Sequence, residues 1–300
     1  MTEENSIPVD LLKFYRRSKY LFFVIITIGL TWLIFADLVD GNWGSLENSL
    51  ENLSVFFHES LWPPEWKVLE AQAYPVCDRS LEIMCSPGYI GIVETLKIAF
   101  VATGFGFVLS LPIAVLASRN LYRDEVAIPF RLLLSAMRTL PSIIWAILFV
   151  IIIGLGPVAG VLAMTFYTIG YLGKLQYETI EGLSSEPLDA ARAMGLKNSE
   201  VAIRVVIPEC ANNLISQILF MFEYNVRHGS VIGIVGAGGI GYYISTYLKF
   251  LQYDKVIALL IVLFIVVVII DLLSIKARSY FVDDATFKPP SLFGNIFKGK

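Results

Sequence analysis

Residues 139–173 read TLPSIIWAILFVIIIGLGPVAGVLAMTFYTIGYLG, a run of 35 residues without a formal charge. A helix that crosses a bilayer needs about 20 predominantly apolar residues, so the run is too long for one crossing. Gly154-Leu155-Gly156-Pro157 interrupts it, and Gly and Pro punctuate regular structure. The stretch therefore predicts a tight hairpin of two membrane helices, about 131–153 and 157–174.

Working outward, Ile98–Ser118 is uncharged over 21 residues and Tyr20–Ala36 is uncharged as well. Apolar segments follow at about 214–235 and 256–275. These segments predict an all-α membrane protein with six spans: 20–38, about 96–118, 131–153, 157–174, 214–235 and 256–275. Composition agrees. Apolar residues make up 56% of the 300 and charged residues 16%, against about 25% charged in ordinary globular domains. Mean hydropathy is +0.68. The net charge of −3 says little, because charge is segregated by segment. No basic patch carries interleaved aromatics, which argues against nucleic-acid binding. His58 and His228 are isolated and the three cysteines form no CxxC, so no metal site is expected.

Basic residues collect on the cytoplasmic side of membrane proteins. Six spans place both termini on one side, and that side then holds 17 of the 23 Lys and Arg residues. They include Lys13, Arg16 and Arg17 in the N-terminal segment 1–19, Arg119, Arg131 and Arg138 after the second span, and Lys276 and Arg278 at the start of the tail 277–300. Arg227 falls within a span. The segment 39–94 is then extracytoplasmic. Phe56, Phe57, Trp62, Pro63, Pro64 and Trp66 suit the membrane–water interface, although a solvated loop with a few anchors fits equally. Cys77 and Cys85 share that oxidising side, where a disulfide or two free thiols are both compatible with the sequence. Asp37-Leu38-Val39-Asp40 lacks the small residues of a signal cleavage site, so the first span is expected to be retained.

Three segments carry functional signals within a core of 95–276. The long cytoplasmic loop 175–212 contains Asp189-Ala190-Ala191-Arg192-Ala193-Met194-Gly195, then Val205-Val206-Ile207-Pro208. It reads as helix, turn, helix. Gly195 can end the first helix in a left-handed cap. Asn198 or Ser199 can cap the second, and Pro208 stops or kinks it. In the fifth span, Glu223 and Arg227 are four residues apart and can pair on one helix face. Charges at this depth are costly and usually functional. Two readings stay open: a structural ion pair, or an Arg that faces a translocation path beside Glu223 and Asn225. Third, Gly236, Gly238 and Gly241 form a formal G-x-G-x-x-G, with Gly239 between them. Only 59 residues follow, too few for a βαβ nucleotide-binding unit, so these glycines are expected to form a flexible, closely packed structural turn. No nucleophile constellation or phosphate-binding loop is present, so no catalytic residues are assigned.

The loop resembles the "EAA" loop of ABC importer permeases, in which EAA, three residues, Gly, nine residues and Ile-x-Leu-Pro recur. Asp189, Val205 and Ile207 stand as conservative replacements, while Ala190, Ala191, Gly195 and Pro208 match. The run from Glu223 through Gly241, with the turn at 154–157, resembles the phosphonate-type permease subfamily, although His228-Gly229 stands where Ser-Ala is more usual. The resemblance implies a type I importer bundle with a five-helix core, in the bacterial cytoplasmic membrane. It implies a second copy of the chain, two cytoplasmic ATPase subunits that bind ATP and Mg, and an extracytoplasmic substrate-binding protein. It also implies that Asp189 to Pro208 couple to the ATPase, and that the cargo is phosphonate, with phosphate, phosphite or methionine as alternatives. A secondary transporter or channel is the rival class. It would call for more intramembrane carboxylates and for inverted repeats.

Overall fold

The computed structural model describes residues 9–39, 44, 48–71 and 81–281, and the regular structure among them is helical throughout. The chain divides into two units, Met1–Trp62 and Pro63–Lys300. In the first, α1 (Val9–Val39) contains an apolar span from Tyr20 to Val39, with Leu21, Phe22, Phe23 and Trp32 all exposed. A short helix, α2 (Ser49–Phe56), runs into a π turn at Phe57–Leu61. There Phe57 stacks on Trp62 with ring centroids 6.2 Å apart.

The second unit begins with a short 3-10 turn, Trp66–Leu69, and this part of the expected loop is packed rather than solvated. Val68 is fully buried in a cluster with Ile92, Ile240, Tyr247 and Leu259. The Glu65 N–H donates to the Asp254 carbonyl at 3.1 Å. Cys85 is buried. Cys77 lies outside the described residues, and so does any pairing that involves it.

The membrane helices follow. α3 (Pro87–Ala117) opens on Pro87, and the Ser86 hydroxyl accepts from the Tyr89 N–H at 3.2 Å, as an N-cap should. Then come α4 (Asp124–Thr139), α5 (Ser142–Ile153) and α6 (Pro157–Glu181). The loop helices are α7 (Ser185–Ala193) and α8 (Asn198–Val201). α8 passes through a π turn at Ala202–Val206 into α9 (Ile207–Ile232). α10 (Ile240–Lys249) and α11 (Tyr253–Phe281) complete the unit. Among the described residues five helices are long and apolar enough to cross a membrane, or six if the bent pair α4–α5 is one span.

That pair corrects one expectation. The segment 131–153 is not a single helix: α4 and α5 meet at 85°. The cause is Pro141, which has no N–H to donate and holds Leu140 in an extended conformation, with ψ 135°. The Trp145 indole N–H bridges the break to the Met137 carbonyl at 3.0 Å. A second correction is α10, a 10-residue helix where only a turn and connection were expected. A third concerns Pro208. It does not stop the chain: the helical run continues from Asn198 through Pro208 to Val235, and the π turn at Ala202–Val206 widens the helix just before the proline ring. The expected cap also shifts: the Lys197 N–H donates to Glu200 Oε2 at 2.9 Å, so Lys197 rather than Asn198 or Ser199 opens α8.

α3 and α6 form the most extensive helix pair of the core. Small residues let them approach closely, as they do between membrane helices generally. Gly106 of α3 lies against Thr168 of α6 with no room for a β-carbon. Across α6, Gly170 faces the last turn of α4, where an added β-carbon would stand 2.8 Å from the Arg138 backbone nitrogen. Asn225 of α9, fully buried, donates to Thr103 of α3 at 2.9 Å and to Thr168 of α6 at 3.0 Å.

Candidate functional site

The loop 175–212 forms a compact elbow. α7 ends as the sequence suggests, at Gly195 with φ +82°. The Gly195 N–H reaches the Arg192 carbonyl at 2.9 Å and the Leu196 N–H reaches the Ala191 carbonyl at 3.3 Å, the paired bonds of a Schellman end. Ala191 and Leu188 are buried with Val201, Ala202 and Val206, and Val205 and Ile207 pack against the same cluster. Asp189, Ala190, Met194, Gly195 and Pro208 are exposed. The motif residues therefore divide into an inner set that holds the elbow and an outer set free to meet a partner. Met194, 73% exposed at the tip, is an outer residue that the motif did not flag.

The elbow is tied to the α3–α4 connection. The Arg192 guanidinium donates to the Asn120 carbonyl and also meets Asp189 at 3.4 Å. The Asn120 side chain donates to the Ile180 carbonyl at 2.7 Å. Glu181 accepts from the Arg119 N–H at 2.7 Å and pairs with Arg131. These bonds connect α7, through the α3–α4 connection, to α4 and α6.

Within the bundle, Glu223 and Arg227 meet at 3.5 Å, but neither pairs only with the other. Arg227 donates to Asp271 of α11 at 2.7 Å, and Glu223, with its side chain 10% exposed, pairs with Arg278 of α11. Two acids and two bases form a neutral chain that staples α9 to α11. Of the residues expected on a path, Asn225 has no exposed surface and Arg227 is already matched by two carboxylates. Sequence reasoning missed Asp271 and Arg278 as the partners; Arg278 had been placed in the cytoplasmic tail.

The glycine run forms a hydrogen-bonded, closely packed joint. Gly236, Gly238 and Gly239 all take positive φ, +87°, +82° and +75°, which L side chains rarely adopt. The Gly236 carbonyl accepts from the Gly156 N–H at 2.9 Å, joining the two turns at this end of the bundle. On α3, Glu94 accepts from the Gly239 N–H at 3.1 Å, and Thr95 Oγ1 accepts from the Ile240 N–H at 2.9 Å. Gly241 packs against the Ser230 carbonyl. Glu94 and Thr95 were not singled out in the sequence, because nothing local marks them as caps of a helix about 145 residues away.

A cavity of about 350 Å³ opens at the α4–α5 break, bounded by Arg138, Pro141, Ser142, Tyr167, Tyr224 and His228. The Tyr224 hydroxyl donates to the Tyr167 hydroxyl at 2.9 Å, and the His228 ring stacks on Tyr224 with centroids 3.7 Å apart. Arg138, assigned from the sequence to the cytoplasmic side, stands level with Gly170 near the middle of α6.

The family described as binding-protein-dependent transport system inner membrane component matches residues 106–275. The chain is 35% identical over 194 residues to the putative phosphite transport system permease protein HtxC of Stutzerimonas stutzeri, covering 64% of this chain and 69% of that one. It is 35% identical over 195 residues to the phosphate-import permease protein PhnE of Mycolicibacterium smegmatis, covering 65% of this chain and 37% of that one. Among solved structures, a chain of the inward-facing MetNI methionine ABC transporter superposes with a TM-score of 0.56 at 25% identity, over 64% of this chain and 94% of that one.

Proposed function

From the premise that this chain belongs to the family of binding-protein-dependent transport system inner membrane components, we propose that it is the membrane subunit of an ATP-driven importer of phosphorus oxyanions. Phosphonate, phosphite and phosphate are the candidate cargoes. The observation that carries the cargo class is the 35% identity to permeases named for phosphite and phosphate, against 27% to a probable D-methionine permease.

In this reading two copies of the chain form the pathway in the bacterial cytoplasmic membrane, with both termini in the cytoplasm. An extracytoplasmic binding protein delivers the cargo. Two cytoplasmic ATPase subunits hold ATP and Mg, and the chain itself contributes no catalytic residue. The exposed set Asp189, Ala190, Met194 and Gly195 docks on the ATPase, where small side chains allow close approach. The inner set Ala191, Val205 and Ile207 transmits the movement through the π turn, past the exposed Pro208, into α9. Nucleotide state then shifts the population between inward- and outward-open forms.

The test is ATPase activity of the chain reconstituted with its ATPase in liposomes, with the binding protein and a panel of phosphonate, phosphite, phosphate and methionine. Stimulation by one of the phosphorus compounds and matching uptake are expected. Stimulation by methionine alone would transfer the chain to the amino-acid branch. Failure of the ATPase to associate would point instead to a secondary transporter. Gly195→Asp is expected to abolish coupled ATPase activity without removing the chain from the membrane.

A further inference from the structure

We propose that the cavity at the α4–α5 break is an oxyanion-binding site within the membrane, with Arg138 as its central cation. The inference rests on the importer reading above and goes further, to where the cargo is held during passage.

Depth comes first. Gly170, beside Arg138, is 13 residues from the start of α6 and 11 from its end, or about 20 and 16 Å along the axis at 1.5 Å per residue. A hydrocarbon core is about 30 Å thick, and Lys174, the first charge of α6, stands four residues beyond Gly170, so the last turn of α4 lies within the span, about one helical turn from the end that carries Lys174. An arginine there is costly and needs a reason.

Charge comes second. Arg119, Arg131, Arg192, Arg227 and Arg278 each meet a carboxylate, while among the described residues Arg123 and Arg204, both exposed, meet none. Arg138, only partly exposed, has no hydrogen bond or ion pair among the described residues and borders the cavity. No carboxylate lies on the cavity wall among those residues.

Donors come third. Ser142 is 5% exposed, has no hydrogen-bond partner among the described residues and lines the same space. It opens α5, a 12-residue helix whose N-terminus carries partial positive charge. The His228 Nδ1–H donates to the Tyr224 carbonyl at 3.2 Å, so Nε2 of the neutral ring presents a lone pair and meets a ligand only by accepting from a protonated oxygen, such as the P–OH of a monoanion. Tyr224 spends its proton on Tyr167, so the Tyr167 hydroxyl has its own proton to donate. One cation and several donors, with no anion opposite, suit a tetrahedral oxyanion. They do not suit a zwitterionic amino acid, whose ammonium group would find no carboxylate. An arginine fork adds geometric selectivity for such oxygens.

The test uses the wild-type permease–ATPase complex in nanodiscs without the binding protein, titrated with phosphite, phosphate and methylphosphonate and followed by 31P line broadening. Saturable binding that methionine does not displace is expected. Arg138→Gln should weaken it at least about tenfold, as loss of a charge-assisted contact does. Arg138→Lys should retain part of it, and Ser142→Ala and His228→Gln should weaken it by less. The elution profile and ATPase association of each variant verify folding. Binding unchanged in Arg138→Gln overturns the site. So does no binding by a wild-type complex whose complete transporter still takes up phosphite, and in that case the importer reading survives. A complete transporter that takes up none of these oxyanions overturns the importer reading and the site with it.

Discussion

Glu223 shows how a single side chain can be conspicuous in the sequence while its role is not. A carboxylate in an apolar span stands out, and Arg227 one turn later offers a ready partner. The structure adds Asp271 and Arg278, which are 44 and 55 residues away from the groups they meet. Removing one member of a largely buried ion pair leaves its partner uncompensated, at a cost of about 3–5 kcal/mol. Glu223→Ala should therefore lower the thermal midpoint of the solubilised chain markedly. The double exchange Arg227→Asp with Asp271→Arg should recover part of the loss seen in either single variant; no recovery would show that the pair does not hold α9 to α11. Asn225→Leu should cost less, about 1–3 kcal/mol for a lost buried amide. Its partner Thr103 keeps a bond to the Ala99 carbonyl at 2.7 Å and loses only an acceptor role. A thermal shift as large as that of Glu223→Ala would contradict this ordering.

Among the elements, α7 and its glycine end were readable from local chemistry, because a left-handed cap after an Ala-rich helix has a short signature. Gly195→Ala places a β-carbon at φ +82°, which costs about 1–2 kcal/mol. There is open space around the site, so strain is the main effect. The expected outcome is partial loss of cargo-stimulated ATPase activity with normal membrane abundance; full activity would mean that the elbow tolerates a different exit. The α4–α5 break was also marked locally, by Pro141, yet the segment 131–153 around it reads as one span. Hydropathy counts apolar length and is blind to direction, so a proline that turns the chain through 85° leaves the count unchanged. α10 escaped because 10 residues fall short of a crossing and the preceding glycines dominate the local signal.

For the whole molecule, the sidedness of the bundle remains an inference from the distribution of Lys and Arg. The joint at Gly154–Gly156 and the coupling elbow lie at opposite ends of α6. Leu155 and Met194 are both strongly exposed, at 75% and 73%. Cysteines introduced at each should therefore differ in labelling by a membrane-impermeant maleimide: Leu155→Cys in intact cells, Met194→Cys only after lysis, each read above the parent protein. The opposite pattern would invert the proposed orientation and remove the coupling loop from the ATPase side.

The chain's local properties were enough to establish a helical membrane protein and to mark a loop whose spacing resembles that of importer permeases. A crossing helix requires only a length of apolar side chains, and a capped turn only a few neighbours. The neutral ion chain, the Glu94 and Thr95 caps on the glycine joint, the inner and outer faces of the elbow and the half-buried cation bordering the cavity came from the folded arrangement alone. Each depends on which helices lie side by side, and in a bilayer that choice is made by small residues and polar contacts between segments far apart in the chain. Arg138 illustrates the difference: beside an uncharged run it reads as a cytoplasmic anchor, and the turn at Pro141 with the close approach of Gly170 brings it inside the bundle.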